Sequence, residues 1–181
     1  QGELDYLKPV VMLEIGARSL SEPYAINKVK SLVEENFPAI QTSVVDSEIA
    51  TAVAGKTFLE KVFLLHELFS VAGHGANANR KSRHLYDLYQ MMDKDFAIAA
   101  VKDDELWENI RHHREIFTSV KDMDYTPDVR KRIVLIPRED IIAVWEKDYA
   151  EMLVNMIYGT NKPTFNQIID KMQVLQDRFR Q

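Results

Sequence analysis

The sequence contains no cysteine, which excludes disulfide bonds, thiolate nucleophiles, and zinc or iron–sulfur sites held by thiolates. No apolar run approaches the roughly 18 residues that a membrane helix requires, and the first residues do not form a signal peptide. Glycine and proline number only six each, and no low-complexity tract or repeat interrupts the chain. These absences predict a soluble cytosolic protein without an obvious linker.

The 181 residues, of which 46% are apolar, are enough to bury one hydrophobic core. The chain has 28 acidic and 23 basic residues, so its net charge is −5. This mild acidity argues against binding to nucleic acid through bulk charge alone. Three local basic groups, at residues 80–84, 111–114 and 130–132, are either solvated faces or parts of a groove for an RNA backbone.

The first part of the chain is rich in apolar and β-branched residues, and the rest has helical spacing. Tyr6 to Gly16 and Gln41 to Asp46 are predicted strands. Between them, Ser21 and Pro23 begin a predicted helix that ends at Pro38 and has Ile26, Val29, Leu32 and Val33 on its apolar face. Further helices are predicted over 57–71, 80–93, 103–119, 138–158 and 164–180. The predicted fold is α+β and mostly helical: one or two N-terminal strands, then a helical bundle.

Several helix starts have the residues that such positions favour. Thr57 with Glu60 has the pattern of a capping box, and Asp103 and Thr164 are candidate N-caps. Pro137 predicts that the fourth of these helices begins at Arg138. The last two helices carry apolar stripes that predict an antiparallel pair of core helices, with members Ile141, Val144, Trp145, Tyr149, Met152 and Met156, and Phe165, Ile168, Ile169, Met172, Leu175 and Phe179.

Lys61 is an unusual residue on the helix predicted over 57–71. On a helical wheel it lies between Leu65 and Leu68 at the edge of the apolar sector, whereas Glu60 and Glu67 lie nearly opposite that sector. A lysine at this edge either extends its amine to water or meets an anion, because burying it without a partner is costly. In the second case its ammonium points into a cleft and holds a phosphate or a carboxylate.

The helix predicted over 80–93 has an apolar stripe and an opposite polar face. The stripe consists of Leu85, Leu88, Tyr89 and Met92, and the polar face consists of Arg80, Arg83, His84 and Asp87. Arg83 and Asp87 are either a solvated i,i+4 pair or part of a site in which the carboxylate serves as a metal ligand or proton acceptor beside a polyphosphate. The histidines of the chain lack the spacing of a zinc site.

The motif TFLEK at residues 57–61, followed by Leu65-His66, and the motif SRHLYDLY at 82–89 together resemble the paired signature of the AbiEii/AbiGii toxin family of nucleotidyltransferases. The likeness begins at about residue 9 and continues to the end of the chain. Weaker support comes from His112 to Phe117, Arg132 to Pro137, Asp148-Tyr149 with Met152, and Ile157-Tyr158-Gly159.

The resemblance implies a polymerase-β-like nucleotidyltransferase domain, of which residues 1–54 are the remnant, followed by a helical C-terminal domain at 55–181. It also implies a toxin of a type IV toxin–antitoxin system that acts in abortive infection, a form of phage defence. Such enzymes transfer a nucleotide from a nucleoside triphosphate with a divalent cation such as Mg²⁺, and tRNA is the acceptor for some of them. An antitoxin encoded nearby is the implied protein partner.

The same resemblance assigns the candidate site residues. Lys61 corresponds to the family's conserved lysine and is expected at the triphosphate, and Asp87 corresponds to its late catalytic aspartate. Asp87 is expected either at the acceptor hydroxyl or orienting Lys61. Arg80, Arg83 and His84 flank the two as substrate-binding residues. Glu14, on the first predicted strand, is either the third carboxylate of the fold or an edge-exposed structural acid.

The sequence departs from the family pattern in one respect. The Gly-Gly-Thr/Ser turn that cradles phosphate does not occur in it, and no Asp-x-Asp that could bind metal precedes the motif at 57–61, since the two Asp-x-Asp triplets of the chain lie later, at 93–95 and 122–124. Because two-metal nucleotidyl transfer needs such carboxylates, we expect a C-terminal portion that is inactive by itself, and we assign no metal ligand within the chain. The alternative is a non-catalytic helical module that binds RNA or a protein partner through its basic groups.

Overall fold

The computed structural model describes residues 23–37, 47–160 and 162–181. Within these ranges the chain is mostly helical, with a two-stranded sheet near its beginning, which confirms the predicted α+β class. No described helix is both long and apolar enough to cross a membrane. The elements are β1 (Tyr24–Val29), α1 (Leu32–Asn36), β2 (Ser47–Ala52), α2 (Ala54–Ser70), α3 (Arg83–Met91), α4 (Asp95–Val101), α5 (Asp104–Phe117), α6 (Ile142–Asn155) and α7 (Phe165–Arg180), with 3₁₀ helices at His74–Ala76 and Val129–Arg132.

The two strands form an antiparallel pair in which Tyr24 lies opposite Ala52 and Val29 lies opposite Ser47. The helix predicted from Ser21 is therefore wrong over residues 24–29, and only 32–36 are helical. Pairing with β2 satisfies the backbone of β1, and a periodicity read from one segment cannot show this partner. The strands predicted over 6–16 and 41–46 lie outside the described residues.

The hydrophobic core is built around α2, which contacts α3, α4 and α5. The residues Phe58, Val62, Leu65 and Phe69 of this helix are buried on one face, and further positions of α2 are buried beside them, including Leu59 and Phe63. The Phe63 and Phe179 rings lie 4.5 and 5.3 Å from the ring of Trp107. This aromatic cluster joins α2, α5 and α7, so α2 is covered on more sides than an amphipathic surface helix would be.

Most residues of the stripes predicted for the last two helices belong to the core, but the prediction is wrong for Val144, which is 46% exposed. Trp145 and Met172 are buried, and the rings of Tyr149 on α6 and Phe165 on α7 lie 5.7 Å apart. The Tyr149 hydroxyl donates a hydrogen bond of 2.6 Å to the carbonyl of Pro163, just before α7 begins. Burial raises the pKa of this hydroxyl to about 12, with a contribution from Tyr86 and Tyr89.

Two predicted N-caps are confirmed and one is wrong. Asp103 accepts from the Leu106 N–H at 2.9 Å, and Thr164 forms a capping box with Gln167. Thr57, by contrast, lies inside α2, which begins three residues earlier at Ala54. Gly55 in its first turn faces α4, where an added Cβ would lie 3.3 Å from Ala100 Cβ. Close helix packing, not a side-chain cap, sets this helix start.

The start predicted for the fourth of these helices at Arg138 is also wrong, because α6 begins at Ile142. Arg138 instead donates to the carbonyls of Phe69 and Val71, at 3.0 and 3.1 Å. These carbonyls lie at the C-terminal end of α2, where backbone carbonyls have no N–H partner within the helix. Helix α4 was not predicted. Its buried residues Ala97 and Ala100 pack against α2.

Gly75 provides a test of the packing between α2 and the start of α6. A Cβ added there would lie 2.5 Å from Ile141 Cδ1 and 2.7 Å from the Leu68 carbonyl oxygen. We expect Gly75→Ala to lower the free energy of unfolding by about 1–3 kcal/mol, because a backbone oxygen of a helix cannot easily move away. Urea unfolding followed by circular dichroism measures the change. Gly159→Ala is the matched control, since among the described residues no atom beyond its chain neighbours lies within 4 Å of its added Cβ. Equal losses in both variants would contradict the packing argument.

Candidate functional site

Lys61 on α2 and Asp87 on α3 meet across the contact between these helices. Lys61 Nζ donates to Asp87 Oδ2 at 2.7 Å, and the two side chains are 23% and 38% exposed. Lys61 therefore pairs with an anion, which is one of the two alternatives predicted. The anion is the carboxylate of Asp87 in the same chain. Within the described residues Asp87 pairs with Lys61 and not with Arg83, so the i,i+4 alternative is wrong.

His84 completes this cluster one helical turn before Asp87. Its Nδ1 lies 3.5 Å from Lys61 Nζ and 4.0 Å from Asp87 Oδ2. Burial, together with the charges of Lys61 and Arg83, lowers the pKa of His84 to about 4, and Asp87 partly opposes this shift. The ring is therefore neutral near pH 7, and it adds no positive charge for a phosphate.

The beginning of α3 is held by Asp148, a buried residue of α6. The Asp148 carboxylate accepts from the N–H groups of Arg80 and Ser82 at 2.6 and 2.9 Å, and from the Ser82 hydroxyl at 2.5 Å. Arg80 has a φ of 57°, which is unfavourable for a residue with a Cβ, and these bonds hold it in that conformation. Because a protein carboxylate already occupies these donors, an external phosphate cannot use them.

The four residues predicted on one polar face do not all share it. Helix α3 begins at Arg83, so Arg80 lies before the helix, in a left-handed turn. The structure brings together Lys61, His84 and Asp87, whereas the expectation that Arg80 continues their face is wrong. The apolar stripe of this helix is confirmed, since Leu85 and Leu88 are buried. Glu14, the candidate third carboxylate, lies outside the described residues.

The sequence analysis assigned no role to Asp148, although its position on α6 indicates one. Asp148 lies on the buried stripe of α6, three residues after Trp145 and directly before Tyr149. An acidic residue among apolar ones on a buried stripe indicates a hydrogen-bonded partner, because an unpartnered carboxylate there would be costly.

A second buried ionic cluster fixes the other side of α2. Glu67, expected to lie opposite the apolar sector, is only 3% exposed. It accepts from Arg114 Nε and Nη2 at 2.7 and 2.5 Å and from the Tyr125 hydroxyl at 2.8 Å. Burial would lower the pKa of Arg114, but the bonds to Glu67 outweigh it and raise that pKa. Glu67 follows Leu59 and Phe63 at intervals of four residues, and both of these are buried. The spacing places Glu67 on the same buried row, which the helical wheel did not take into account.

The arginines at 111–114 and 130–132, two of the three basic groups of the predicted RNA groove, have partners within the chain. Arg111 donates to Glu108, Glu115 and the Tyr125 carbonyl, and Arg114 pairs with Glu67. Arg130 pairs with Asp104, and Arg132 pairs with Asp124 and Asp128. Most of the basic groups at 111–114 and 130–132 therefore serve the fold, which removes the main support for a groove that follows an RNA backbone.

The described part of the chain does not contain a metal centre. Over residues 23–37, 47–160 and 162–181, no three histidine or acidic residues are grouped so that they could hold a metal ion. Asp87 is a single carboxylate, and Lys61 already occupies one of its oxygens. These residues do not fit a two-metal centre, which needs several carboxylates that bridge the ions.

His66, the histidine of the first motif, is buried in a structural role. Its Nδ1 accepts from the Val134 N–H at 3.1 Å and lies 2.6 Å from the Ser70 hydroxyl, and its Nε2 has no hydrogen-bond partner among the described residues. Burial lowers the pKa of His66 to about 4, against the opposing charge of Asp124. The ring therefore stays neutral and joins α2 to the segment that follows the second 3₁₀ helix.

These two histidines predict a loss of stability in mild acid. Their native pKa values lie below the ordinary 6.5, so below that pH the unfolded chain binds protons that the folded chain does not. The free energy of unfolding should fall as the pH decreases from 6.5 towards 4, by up to about 1.4 kcal/mol per pH unit for each histidine. Urea unfolding between pH 7.5 and 4.5 measures the slope. His84→Gln should reduce this slope, whereas His112→Gln, at a well-exposed side chain, should leave it unchanged. The opposite pattern would contradict the assignment of the slope to the buried histidines.

Asp148 predicts a second effect on stability. Asp148→Asn removes the charge and turns one acceptor oxygen into an amino group that faces N–H donors. We expect a loss of about 3 kcal/mol and faster hydrogen exchange at the Arg80 and Ser82 amides, because buried donors lose their acceptor. Asp170→Asn, at an exposed position of α7, is the matched control and should stay within about 0.5 kcal/mol. Unchanged exchange at both amides would show that Asp148 does not hold this turn.

Comparison with known proteins identifies the family. The family model described as nucleotidyl transferase AbiEii toxin, type IV TA system, matches residues 1–171. A search of curated proteins and a search of solved structures each gave no match. The matched range includes both central motifs and confirms the resemblance that they indicate. The chain therefore belongs to the AbiEii family of nucleotidyl transferase toxins of type IV toxin–antitoxin systems.

Proposed function

We propose that this chain takes part in the transfer of a nucleotide from a nucleoside triphosphate to an RNA acceptor such as tRNA, in the cytoplasm, with Lys61 and Asp87 in the active site. A nearby antitoxin would oppose this activity, and phage defence would be its setting. The observation that carries the proposal is the ion pair of 2.7 Å between these two residues, which is open to solvent at the contact of α2 and α3. The family supports the type of reaction.

Lys61 is suited to bind the triphosphate. An ammonium group has three N–H donors, of which one is directed to Asp87 and a second lies near His84. The third is available to a phosphate oxygen, and the side chain is exposed enough for a ligand to reach it. A lysine in this position neutralises charge that develops on the transferring phosphate, which is the main form of catalysis in phosphoryl chemistry.

Asp87 is suited to contact the acceptor. Its Oδ2 accepts from Lys61, and no other residue of the described chain bonds its Oδ1. A hydroxyl of the acceptor could donate to Oδ1, where the carboxylate would orient it and receive its proton. The same carboxylate orients Lys61, so both roles assigned to Asp87 depend on the one contact.

The neighbouring basic residues contribute unequally. Arg83 forms no ion pair within the described residues and lies next to His84, so its guanidinium is the second cation available to a phosphate group. Arg80 lies three residues earlier, where Asp148 fixes its backbone. His84 is neutral, and we infer that it holds the Lys61 amine in place without competing for the anion.

Magnesium is part of the proposal only as a partner of the triphosphate. When bound, the ion would neutralise charge on the phosphate oxygens. The described residues do not assemble the carboxylates that would hold it, so the roles of Lys61 and Asp87 are derived without it.

We further propose that residues 55–181 are one helical domain and that residues 1–54 belong to the nucleotidyltransferase domain. Support comes from the core, whose buried apolar residues all lie at Phe58 or later among the described ranges. The side chains of β1 and β2 are exposed except at Thr51, which is half-buried, so these strands add nothing to that core.

The proposal predicts that Lys61→Ala and Asp87→Ala each reduce transfer by about 100-fold or more, because each removes a charge used in the transition state. The assay follows label from an α-labelled nucleoside triphosphate into bulk tRNA, with Mg²⁺ and the complete gene product. Lys171→Ala is the matched control, since it breaks another ion pair of 2.7 Å between two helical regions, with Asp93. If all three variants behave alike, the Lys61–Asp87 pair is structural.

The kinetic constants separate the two roles. Lys61→Ala should raise KM for the triphosphate, since it removes a binding contact, and should also lower kcat, since it removes a charge used in the transition state. Asp87→Ala should lower kcat with little change in KM if the carboxylate acts on the acceptor hydroxyl. A parallel rise in KM would show that its main role is to orient Lys61.

A further inference from the structure

A pocket on the helical domain lies apart from the Lys61 cluster. Its volume is about 650 Å³, and it is formed by the end of α4, the 3₁₀ helix Val129–Arg132 and the end of α7. We call it the α4–α7 pocket. None of its lining residues belongs to the group of Lys61, His84 and Asp87. Pockets of this size commonly hold small organic ligands.

The rim of the α4–α7 pocket is positively charged on a chain whose net charge is −5. Its cationic side chains are Lys102, Arg130, Lys131 and Arg178. Arg130 and Arg178 have acidic partners, Asp104 and Asp93, whereas Lys102 and Lys131 form no ion pair in the part of the chain that the structure describes.

One acidic residue, Asp128, also lines the pocket. Its carboxylate accepts from Arg132 and Thr126, and the bond to Arg132 holds the pKa of Asp128 far below its usual range. Arg132 is shared between Asp128 and Asp124, so it balances only part of the charge of Asp128. The four cations of the rim still outnumber Asp128 and the partner acids Asp104 and Asp93, so the local excess is positive. This charge favours an anion beside the two lysines, and a lysine ammonium is a common ligand of phosphate.

The walls of the pocket are mainly apolar. Ile98 is 42% exposed, and Val101 and the ring of Phe179 lie beside it. Phe179 is fixed by contacts with Trp107 and Phe58, at ring distances of 5.3 and 6.5 Å. A ligand that carries only charge would leave this apolar surface in water, so the matching ligand has an apolar or aromatic body as well as an anionic group.

We propose that the α4–α7 pocket binds a nucleoside phosphate, with the base against Ile98 and Val101 and the phosphate between Lys102 and Lys131. Two unpaired lysines match the two negative charges of a terminal phosphate better than the single charge of a carboxylate. A flat base can lie against the aliphatic side chains of Ile98 and Val101, whereas the Phe179 ring is only 3% exposed and offers no face for stacking. The site is separate from the proposed transfer site and does not depend on transfer activity.

Calorimetric titration of the full chain with AMP at low ionic strength tests the proposal. We expect saturable binding with one site, at least tenfold weaker in Lys102→Gln/Lys131→Gln. Lys94→Gln/Lys121→Gln is the matched control, because it removes the same charge from exposed lysines outside the pocket. Lys61→Ala should retain this binding, which separates a failure of the pocket from a failure of the proposed transfer site.

Further probes test the body of the ligand and its source. Ile98→Trp, at a partly exposed position, should weaken AMP binding by filling the apolar wall while leaving the fold intact. Inorganic phosphate and decanoate should each bind much more weakly than AMP. A five-nucleotide RNA with a terminal phosphate that binds more tightly than AMP identifies an RNA end as the source, and equal or weaker binding identifies a free nucleotide.

Three results would overturn the proposal. The first is the absence of AMP binding, and the second is tighter binding of decanoate than of AMP. The third is equal weakening by the two double lysine variants, which would show a general effect of surface charge.

Discussion

The candidate site depends on the hydrogen bonds that the buried Asp148 carboxylate accepts. This carboxylate joins α6 to the turn before α3 through three hydrogen bonds, and α3 carries His84 and Asp87. On the other side, the cluster of Glu67, Arg114 and Tyr125 fixes α2, which carries Lys61. Each helix of the site is thus tied to the rest of the fold by a polar contact that the hydrophobic core surrounds. A short helix with a strained residue at its entrance needs such a tie, since nine residues gain little helical stability by themselves.

The two ion pairs of α2 differ in what they can do. Breaking a buried pair by removing one partner costs about 3–5 kcal/mol, because the other charge remains in a poor solvent. Glu67 with Arg114 is of this kind, and its Tyr125 bond satisfies a further lone pair. Lys61 with Asp87 is partly exposed, and such pairs contribute about 1 kcal/mol or less to stability. The Glu67–Arg114 pair is therefore important for the stability of the fold, whereas the Lys61–Asp87 pair contributes little to it. A ligand can replace one partner of the exposed pair at low cost, which is what a substrate-binding lysine requires.

The sequence predicted most of the described helices because they have a clear apolar period, as in Trp145, Tyr149 and Met152. It failed where the decisive partner lies far along the chain. Residues 24–29 pair with a strand that begins at Ser47, the start of α2 is set by the approach of α4 at Gly55, and Arg138 serves the end of α2. The motifs named Lys61 and Asp87, and the structure adds the contact between them. Glu67 was expected opposite the apolar sector and Asp148 was given no role, because a wheel that sorts residues by polarity alone does not show that an acid on a buried row has a hydrogen-bonded partner.

The neutrality of His84 sets the charge state of the site. A protonated ring 4.0 Å from Asp87 Oδ2 would compete with Lys61 for the same carboxylate and would add repulsion against the ammonium 3.5 Å away. Because burial and the nearby cations lower its pKa to about 4, the ring carries no charge near neutral pH. Lys61 then remains the charged partner of Asp87, and the neutral nitrogen can accept from its amine. The electrostatic arrangement that orients Lys61 is therefore maintained by the burial of a neighbouring side chain, so a substitution that opens this contact to water would weaken the pair even with both of its members in place.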